Sequence, residues 1–366
     1  MTQPYPELGF FVLGGHIHDP RPVVEHFKLG EQLGLGTVWL SERPGSKDIG
    51  VICGAAAAAA PKLHVGAGLI ANLPARNPLI TASFASTMQL LTDDRFILGI
   101  GRGQERFADM LGVPHSNFAL IERYLDALRQ LWSGESVKAA SDGWVLDGAN
   151  LGVQLDEPPS IWMGAVGDKT LEWAGKHCDG VMLFSCLNAT AVRHSVTVVK
   201  NAAERAGRDP STVEVAAVAV NACDVDEEKM LNYIVRRMNT YFMWPMIHLL
   251  VEVNGWDPKM ASTIQQAVAD QAKSPAGALG DEGVSREMDD LRRMRDLYPE
   301  AWIQECNAVG TADQGARFMR SLFDAGADKV LLHGSAPADF RTLVEAWPAH
   351  RPAKFNIRRG ISTHSV

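Results

Sequence analysis

Eight short apolar runs alternate along this chain with longer segments of helical spacing, and that alternation constrains the fold more than any other feature. The runs lie at 8–13, 37–40, 63–70, 96–100, 161–163, 180–184, 213–220 and 329–332. Most are near-continuous in Val, Ile, Leu, Phe or Trp, as strands buried on both faces of a parallel sheet are. Segments at 20–33, 48–60, 78–91, 117–132, 168–176, 190–206, 311–325 and 340–347 read as helices. Strand then helix, eight times, with connections long enough for right-handed crossovers, predicts a (β/α)8 TIM-type barrel of the α/β class. We expect a single domain over 1–350 and an extended, solvated tail over 351–366 that carries Lys354, Arg358 and Arg359.

Two segments depart from the simple alternation. Residues 137–151 are polar, with Gly143 and Gly148, and predict an inserted hairpin. More than a hundred residues separate the seventh and eighth strands, where about thirty would suffice. There 226–253, 257–272 and 284–297 have helical character, with a glycine-rich break at 274–283. This helical excursion, spanning about 226–300, is expected to cover the barrel mouth or to form the face of a homodimer.

Charge and cysteine usage narrow the partners. A formal net charge of −8, from 35 basic and 43 acidic residues, argues against a nucleic-acid binder that works by neutralising phosphates. The five cysteines are scattered without a CxxC pair, as reduced thiols of a cytoplasmic protein would be. The start of the chain lacks the basic-then-apolar layout of a signal peptide. The apolar stretch 55–60 is too short to cross a bilayer and is stopped by Pro61, so no membrane partner is expected.

In a barrel of this kind chemistry gathers at the C-terminal ends of the strands. After the fourth strand, Gly99, Gly101 and Gly103 alternate through the exit, with Arg102 and Glu105 standing among them. A dinucleotide fingerprint would need a further glycine at 104, where the chain has Gln104. After the fifth strand, Gly164-Ala165-Val166-Gly167 leads into a helix whose free N–H groups form either an anion site or a tight turn capped by Asp168. After the first strand, His16-x-His18 invites a metal-dependent hydrolase. That reading lacks the histidines after strands five and six and the aspartate after strand eight that such enzymes also need.

Thr92-Asp93-Asp94-Arg95-Phe96-Ile97-Leu98-Gly99-Ile100-Gly101-Arg102-Gly103 resembles the fourth barrel strand of the luciferase-like monooxygenase superfamily. The segment from Gly66 through Gly68-Leu69, Asn72 and Arg76 to Pro78 resembles its third. The superfamily includes flavin-dependent monooxygenases and oxidoreductases that use the deazaflavin coenzyme F420. The resemblance implies an oxidoreductase that passes a hydride between F420 and a small organic substrate, with FMN as the alternative cofactor of a reduced-flavin monooxygenase. It implies a phosphate pocket at Gly164, Ala165, Val166 and Gly167, and a non-prolyl cis peptide joining Gly68 and Leu69 that props the ring. Ser41, Asn72, Gly101, Arg102, Gly103 and Gln104 complete the implied cofactor site, Arg102 either reaching the phosphate or pairing with Glu105 or Glu42. Arg106 and Arg76 are candidates for the acidic oligoglutamate tail of F420. Glu42, Arg43 and Glu105 are the implied catalytic groups. The sugar-phosphate dehydrogenases of the family often have a histidine where this chain has Arg43. An arginine stays protonated and suits an anionic substrate group better than general-base work. A barrel that binds cofactor without turning it over is the non-catalytic alternative.

Overall fold

The computed structural model describes residues 4–12, 19–42, 47–103, 105–243, 247–271, 285 and 287–355. Eleven strands lie among them: β1 Tyr5–Val12, β2 Leu35–Leu40, β3 His64–Ile70, β4 Phe96–Ile100, β5 Val137–Ser141, β6 Trp144–Ala149, β7 Ser160–Ala165, β8 Gly180–Ser185, β9 Glu214–Cys223, β10 Ala308–Gly310 and β11 Lys329–His333. Parallel pairing runs β9-β11-β1-β2-β3-β4-β7-β8, and β8 pairs back with β9, so eight strands close into a barrel. Helices cover its outside, as the alternation of runs predicts. No helix among the described residues is long and apolar enough to cross a membrane.

Closure depends on bulk inside and its absence on neighbouring strands. Phe11, Trp39, Ile97, Trp162, Met182, Ala216, Val218 and Leu331 form an interior cluster, with Leu69 packed against it. The rings of Trp39 and Trp162 lie 5.4 Å apart. Space for them comes from missing side chains. A Cβ on Gly66 or Gly68 would lie 2.4 or 2.3 Å from Trp39, and one on Gly180 would lie 2.2 Å from Trp162. The glycines of these strands are therefore packing devices as well as exits.

The hairpin forms as expected, β5 antiparallel to β6. Its turn rests on the loop after β3: a Cβ on Gly143 would lie 3.2 Å from Pro74, and Asn77 Nδ2 donates to the Val145 carbonyl at 3.4 Å. The excursion is helical at Glu227–Met230, Leu231–Val235 (a π-type stretch), Arg236–Phe242, Ile247–Asn254, Pro258–Gln271, Met288–Leu297 and Glu300–Cys306. Phe242, Trp256, Tyr298 and Trp302 give it a core of its own, with Trp256 and Trp302 stacked at 4.4 Å. The expected glycine-rich break at 274–283 lies outside the described residues.

Several boundaries differ from the sequence reading. β9 continues three residues past 220, and the overhang Asn221–Cys223 pairs with β10, a strand too short to announce itself. The helix Glu105–Leu111 fills the exit of β4 and is additional to the helical segments read from the sequence. The C-terminal segment is tied to the barrel floor. Arg351 donates Nε and Nη2 to the two carboxylate oxygens of Glu7 at 2.7 and 2.9 Å, and Trp347 Nε1 donates to Glu7 at 3.0 Å. Lys354 lies over the Phe355 ring, while Arg358 and Arg359 are outside the described residues.

Candidate active site at the C-terminal rim of the barrel

The exits of β2, β3, β4 and β7 build one continuous rim. The peptide Gly68–Leu69 is cis, at the position that the third-strand resemblance implies. The Leu69 side chain lies over Gly99, Gly101 and Gly164: a Cβ on Gly164 would be 2.1 Å from Leu69 Cδ1, one on Gly99 3.1 Å and one on Gly101 3.5 Å. Three glycines on two neighbouring strands thus leave a bed for one leucine above the Trp39 ring. Gly164 serves this bed, a use of the residue that its place in a phosphate loop did not suggest.

Beside the shelf, Asn72 adopts a left-handed conformation with φ 58°. Gly103, at φ +74°, comes so near that a Cβ would be 2.4 Å from Asn72 Oδ1. Only glycine suits both the backbone angle and the approach. Asn72 and Gly103 therefore close the rim between β3 and β4.

Glu42 supplies the polar side. It follows β2 after Ser41, with its side chain at 9% exposure. Oε1 accepts from Arg76 Nη1 at 3.1 Å, and Oε2 accepts from the Ala71 N–H at 3.2 Å. Burial raises the Glu42 carboxyl above its ordinary range, opposed by the Arg76 guanidinium and the Ala71 N–H. The residues pair because β2 and β3 are neighbours in the barrel. Arg76 Nε is buried with no hydrogen-bond partner among the described residues.

At the exit of β7, Gly167 is the N-cap of the helix Asp168–His177, and no side chain caps its N–H groups. Asp168, the cap expected if this were a tight turn, instead occupies the first helical turn and accepts from His194 at 2.8 Å. Ala165 and Val166 are buried, and Lys169 is exposed. The excursion reaches the rim here: a Cβ on Gly167 would be 3.6 Å from Leu249. At the exit of β8, Ser185 and Tyr241 share a buried hydroxyl–hydroxyl bond of 2.6 Å. Asn254 bonds the Asn188 N–H and the Cys186 carbonyl, fastening the excursion to the same loop. The excursion therefore covers part of the barrel mouth. Tyr241 and Asn254 escaped the sequence reading because an aromatic and an amide in a helical stretch carry no mark of a partner more than fifty residues away.

Other expected site residues sit apart. Arg102 pairs with neither Glu42 nor Glu105; it is exposed and lies over the Phe118 ring at 5.1 Å. Glu105 is exposed on its helix, 3.9 Å from His115 Nδ1. Arg106 lies over Phe107. Ser41 is half-buried at the end of β2. Arg43, Gln104, His16 and His18 lie outside the described residues. Among the described residues no three His, Cys, Asp or Glu side chains group as metal ligands would.

The comparisons agree with this geometry. The family profile described as luciferase-like monooxygenase matches residues 7–329. The 5,10-methylenetetrahydromethanopterin reductase of Methanolobus tindarius is 27% identical over 318 residues, covering 86% of this chain and 90% of that one. The solved coenzyme F420 dependent tetrahydromethanopterin reductase of Methanopyrus kandleri superposes with a TM-score of 0.78 at 19% identity, covering 96% of this chain and 100% of that one. A Pseudomonas putida type II Baeyer-Villiger monooxygenase in complex with FMN shares the fold at a TM-score of 0.62 and 17% identity, covering 94% and 97%. A barrel closed by eight parallel strands, a rim built at their exits and a profile match over most of the chain converge on one statement: the chain belongs to the luciferase-like monooxygenase family and is an oxidoreductase.

Proposed function

We propose that this oxidoreductase uses the deazaflavin F420 to transfer a hydride to or from a small organic substrate. One observation carries the reading: an apolar shelf, Leu69 bedded on Gly99, Gly101 and Gly164, lies beside a half-buried carboxylate–guanidinium pair, Glu42–Arg76. A flat heteroaromatic ring needs an apolar face to lie on and polar groups along one edge, and these residues fit that requirement. When bound, the deazaflavin supplies a ring carbon that gives or takes the hydride. The chain's own groups do the rest. Leu69 supports the ring face, and Gly101 keeps the approach free of a side chain. The uncapped N–H groups after Gly167 suit a phosphate. Glu42 offers a fixed acceptor that orients a donor of the ring or substrate, and Arg43, Glu105 and Gln104 are the other polar candidates. The excursion, through Tyr241 and Leu249, excludes water from the side of β7 and β8. The relative that matches most of this chain is a reductase by name, which supports hydride transfer.

The test is an anaerobic screen of the purified protein with oxidised and reduced F420 against alcohols, ketones, imines and activated alkenes, following the visible absorbance of the cofactor. Turnover with F420 and none with FMN supports the reading. Turnover with reduced FMN and oxygen replaces it with a monooxygenase, and tight binding without turnover leaves a non-catalytic barrel.

We infer, too, that two copies pair through the helices Ile49–Ala59 and Pro78–Leu91. Neither helix contains a charged residue, yet Val51, Ile80, Leu90 and Leu91 are 70%, 59%, 61% and 63% exposed. A charge-free face meets its own copy across a two-fold axis without like-charge contacts.

A further inference from the structure

A hydride that arrives at a carbonyl carbon leaves the oxygen in need of a proton, so the mouth needs a group that can give one. On the shelf side the carboxylates are placed for other work. Glu42 is committed to Arg76 and to the Ala71 N–H, and Glu105 is exposed on its helix beside His115. The opposite wall holds His333, the last residue of β11. Leu331, two residues earlier, belongs to the interior cluster, and side chains alternate along a strand, so His333 faces the same interior one layer higher. Register agrees: its partner on β9 is Val220, and on β1 Phe10 pairs with Leu332, which sets Phe11 level with His333.

The imidazole meets the Phe11 ring edge to face at 4.9 Å, and Phe11 lies 6.4 Å from Trp39. Phe11 and Trp39 thus make an apolar floor that runs from the Leu69 shelf to the imidazole. Round the barrel, β11 is the fourth strand from β4 in either direction, so His333 stands across the mouth from Gly99 and Gly101. An eight-stranded barrel is only wide enough inside for side chains to fill, and a small molecule lying over the shelf therefore meets the far wall. The strand end is held firmly. Asn221 Nδ2 donates to the His333 carbonyl at 3.0 Å, and Asn221 in turn accepts from Ser335, both side chains being buried. His333 itself is half-buried with Nδ1 enclosed, so a ligand that meets the ring does so on its Nε2 side. Phe11 and Val220 bring no charge to it. The nearest charged segment is the start of the excursion, where Lys229 and Tyr233 share Asp339 at 2.7 and 2.9 Å and Arg236 and Arg237 follow.

We propose that His333 is the proton-transfer residue of this mouth and that the substrate is an alcohol or the carbonyl compound it forms. In the reducing direction the hydride makes the new C–H bond, the C=O π pair takes the Nε2 proton to make O–H, and the neutral imidazole regains a proton from solvent. In the oxidising direction Nε2 accepts the hydroxyl proton while the hydride leaves the carbon for the oxidised deazaflavin. An imidazole serves both directions because its charge changes between about pH 5 and 8. The two redox states of the deazaflavin supply and accept the hydride, so the proposal rests on the reading of this mouth as a deazaflavin site.

Two measurements test it. Carbethoxylation by diethyl pyrocarbonate, read at the His333 peptide by mass spectrometry, reports whether the ring is met from the mouth. His333 should react in the protein alone, and acetone added to the F420 complex should slow that reaction further than F420 does by itself. His333→Gln keeps a hydrogen-bonding side chain but cannot carry a proton. Reduction of acetone, cyclohexanone and benzaldehyde by reduced F420 is followed across the imidazole range in wild type and H333Q, with F420 titrations and thermal melts of both. H333Q should bind F420 as wild type does, lose kcat roughly 100- to 10,000-fold, and lose the limb of the pH profile that falls in the imidazole range. A His333 that does not react in the protein alone overturns the proposal, as does an H333Q protein that keeps its turnover. So does a loss of melting temperature and F420 affinity with the limb still in place, which would make the residue structural. Wild type that binds F420 yet reduces none of the carbonyl compounds overturns the substrate class. Wild type that does not bind F420 refutes the deazaflavin reading itself, and the His333 proposal falls with it.

Discussion

Gly164→Ala places a methyl where the Leu69 side chain now lies. A Cβ there would be 2.1 Å from Leu69 Cδ1 and 3.4 Å from Cγ. Ordinary carbon–carbon contact begins near 3.5 Å, so the outer methyl of Leu69 must retreat by about 1.4 Å. The obstacle is the far end of a flexible side chain, so the cost to the fold falls at the low end of overpacking, about 1 kcal/mol. For a chain of this length that is a fall in Tm of about 2 °C or less. Gly99→Ala is the contrast. Its Cβ would meet the Ala67 carbonyl oxygen at 2.5 Å and Trp39 at 3.1 Å, neither of which moves without moving the sheet. We expect about 3 kcal/mol there. If Leu69 is the bed of the cofactor ring, the retreating methyl enters the plane that the ring occupies. Gly164→Ala should then cost about 1–2 kcal/mol of ligand affinity, roughly 5- to 30-fold in Kd. Thermal melts of both variants, with F420 titrations of Gly164→Ala and wild type, separate the effects. A Gly164→Ala protein that binds F420 as tightly as wild type would refute the placement of the ring on Leu69.

Three further outcomes are expected. Arg351→Met strands the Glu7 carboxylate, 1% exposed, without its guanidinium, and should cost about 3–5 kcal/mol in urea unfolding; Glu7→Gln combined with Arg351→Met should recover most of it, and a loss under 1 kcal/mol for the single variant would contradict the floor clamp. Because the native state raises the Glu42 carboxyl above its ordinary 4.5, it holds that proton more tightly than the unfolded chain does. Glu42 therefore lowers stability as pH rises through the window above 4.5, and Glu42→Gln should flatten that slope in melts taken across the acid range; an unchanged slope would place the raised group elsewhere. Val51→Lys with Ile80→Lys should convert a dimer to a monomer in light scattering with the fold intact by circular dichroism, and a dimer that persists would return the interface to the excursion.

The parts of the fold that follow from one stretch of sequence were legible, and those that depend on two distant stretches were not. Phe96–Ile100 reads as a buried strand from its own residues, and the resemblance around it points to the barrel and to the place of the Gly68–Leu69 peptide. β10 exists only because β9 overruns its neighbours, and three residues carry no periodicity from which to infer that. The excursion was recognisable as helical, but its seat on Ser185 through Tyr241 joins residues more than fifty apart. Glu42 stood out as an acidic group at a strand exit. Its partner did not, because Arg76 was weighed only as a surface cation for an acidic tail, and burial against Glu42 arises from the adjacency of β2 and β3. Gly164 was assigned by its glycine-rich context to a phosphate loop, whereas the space that it leaves is filled by Leu69.

Which cofactor the rim receives decides the chemistry of the site. Fluorescence titration of the purified protein with F420 and with FMN, under the same buffer and salt, addresses it most directly. Micromolar or tighter binding of F420, with far weaker binding of FMN, is expected. Tighter binding of FMN, or binding of neither, would contradict it.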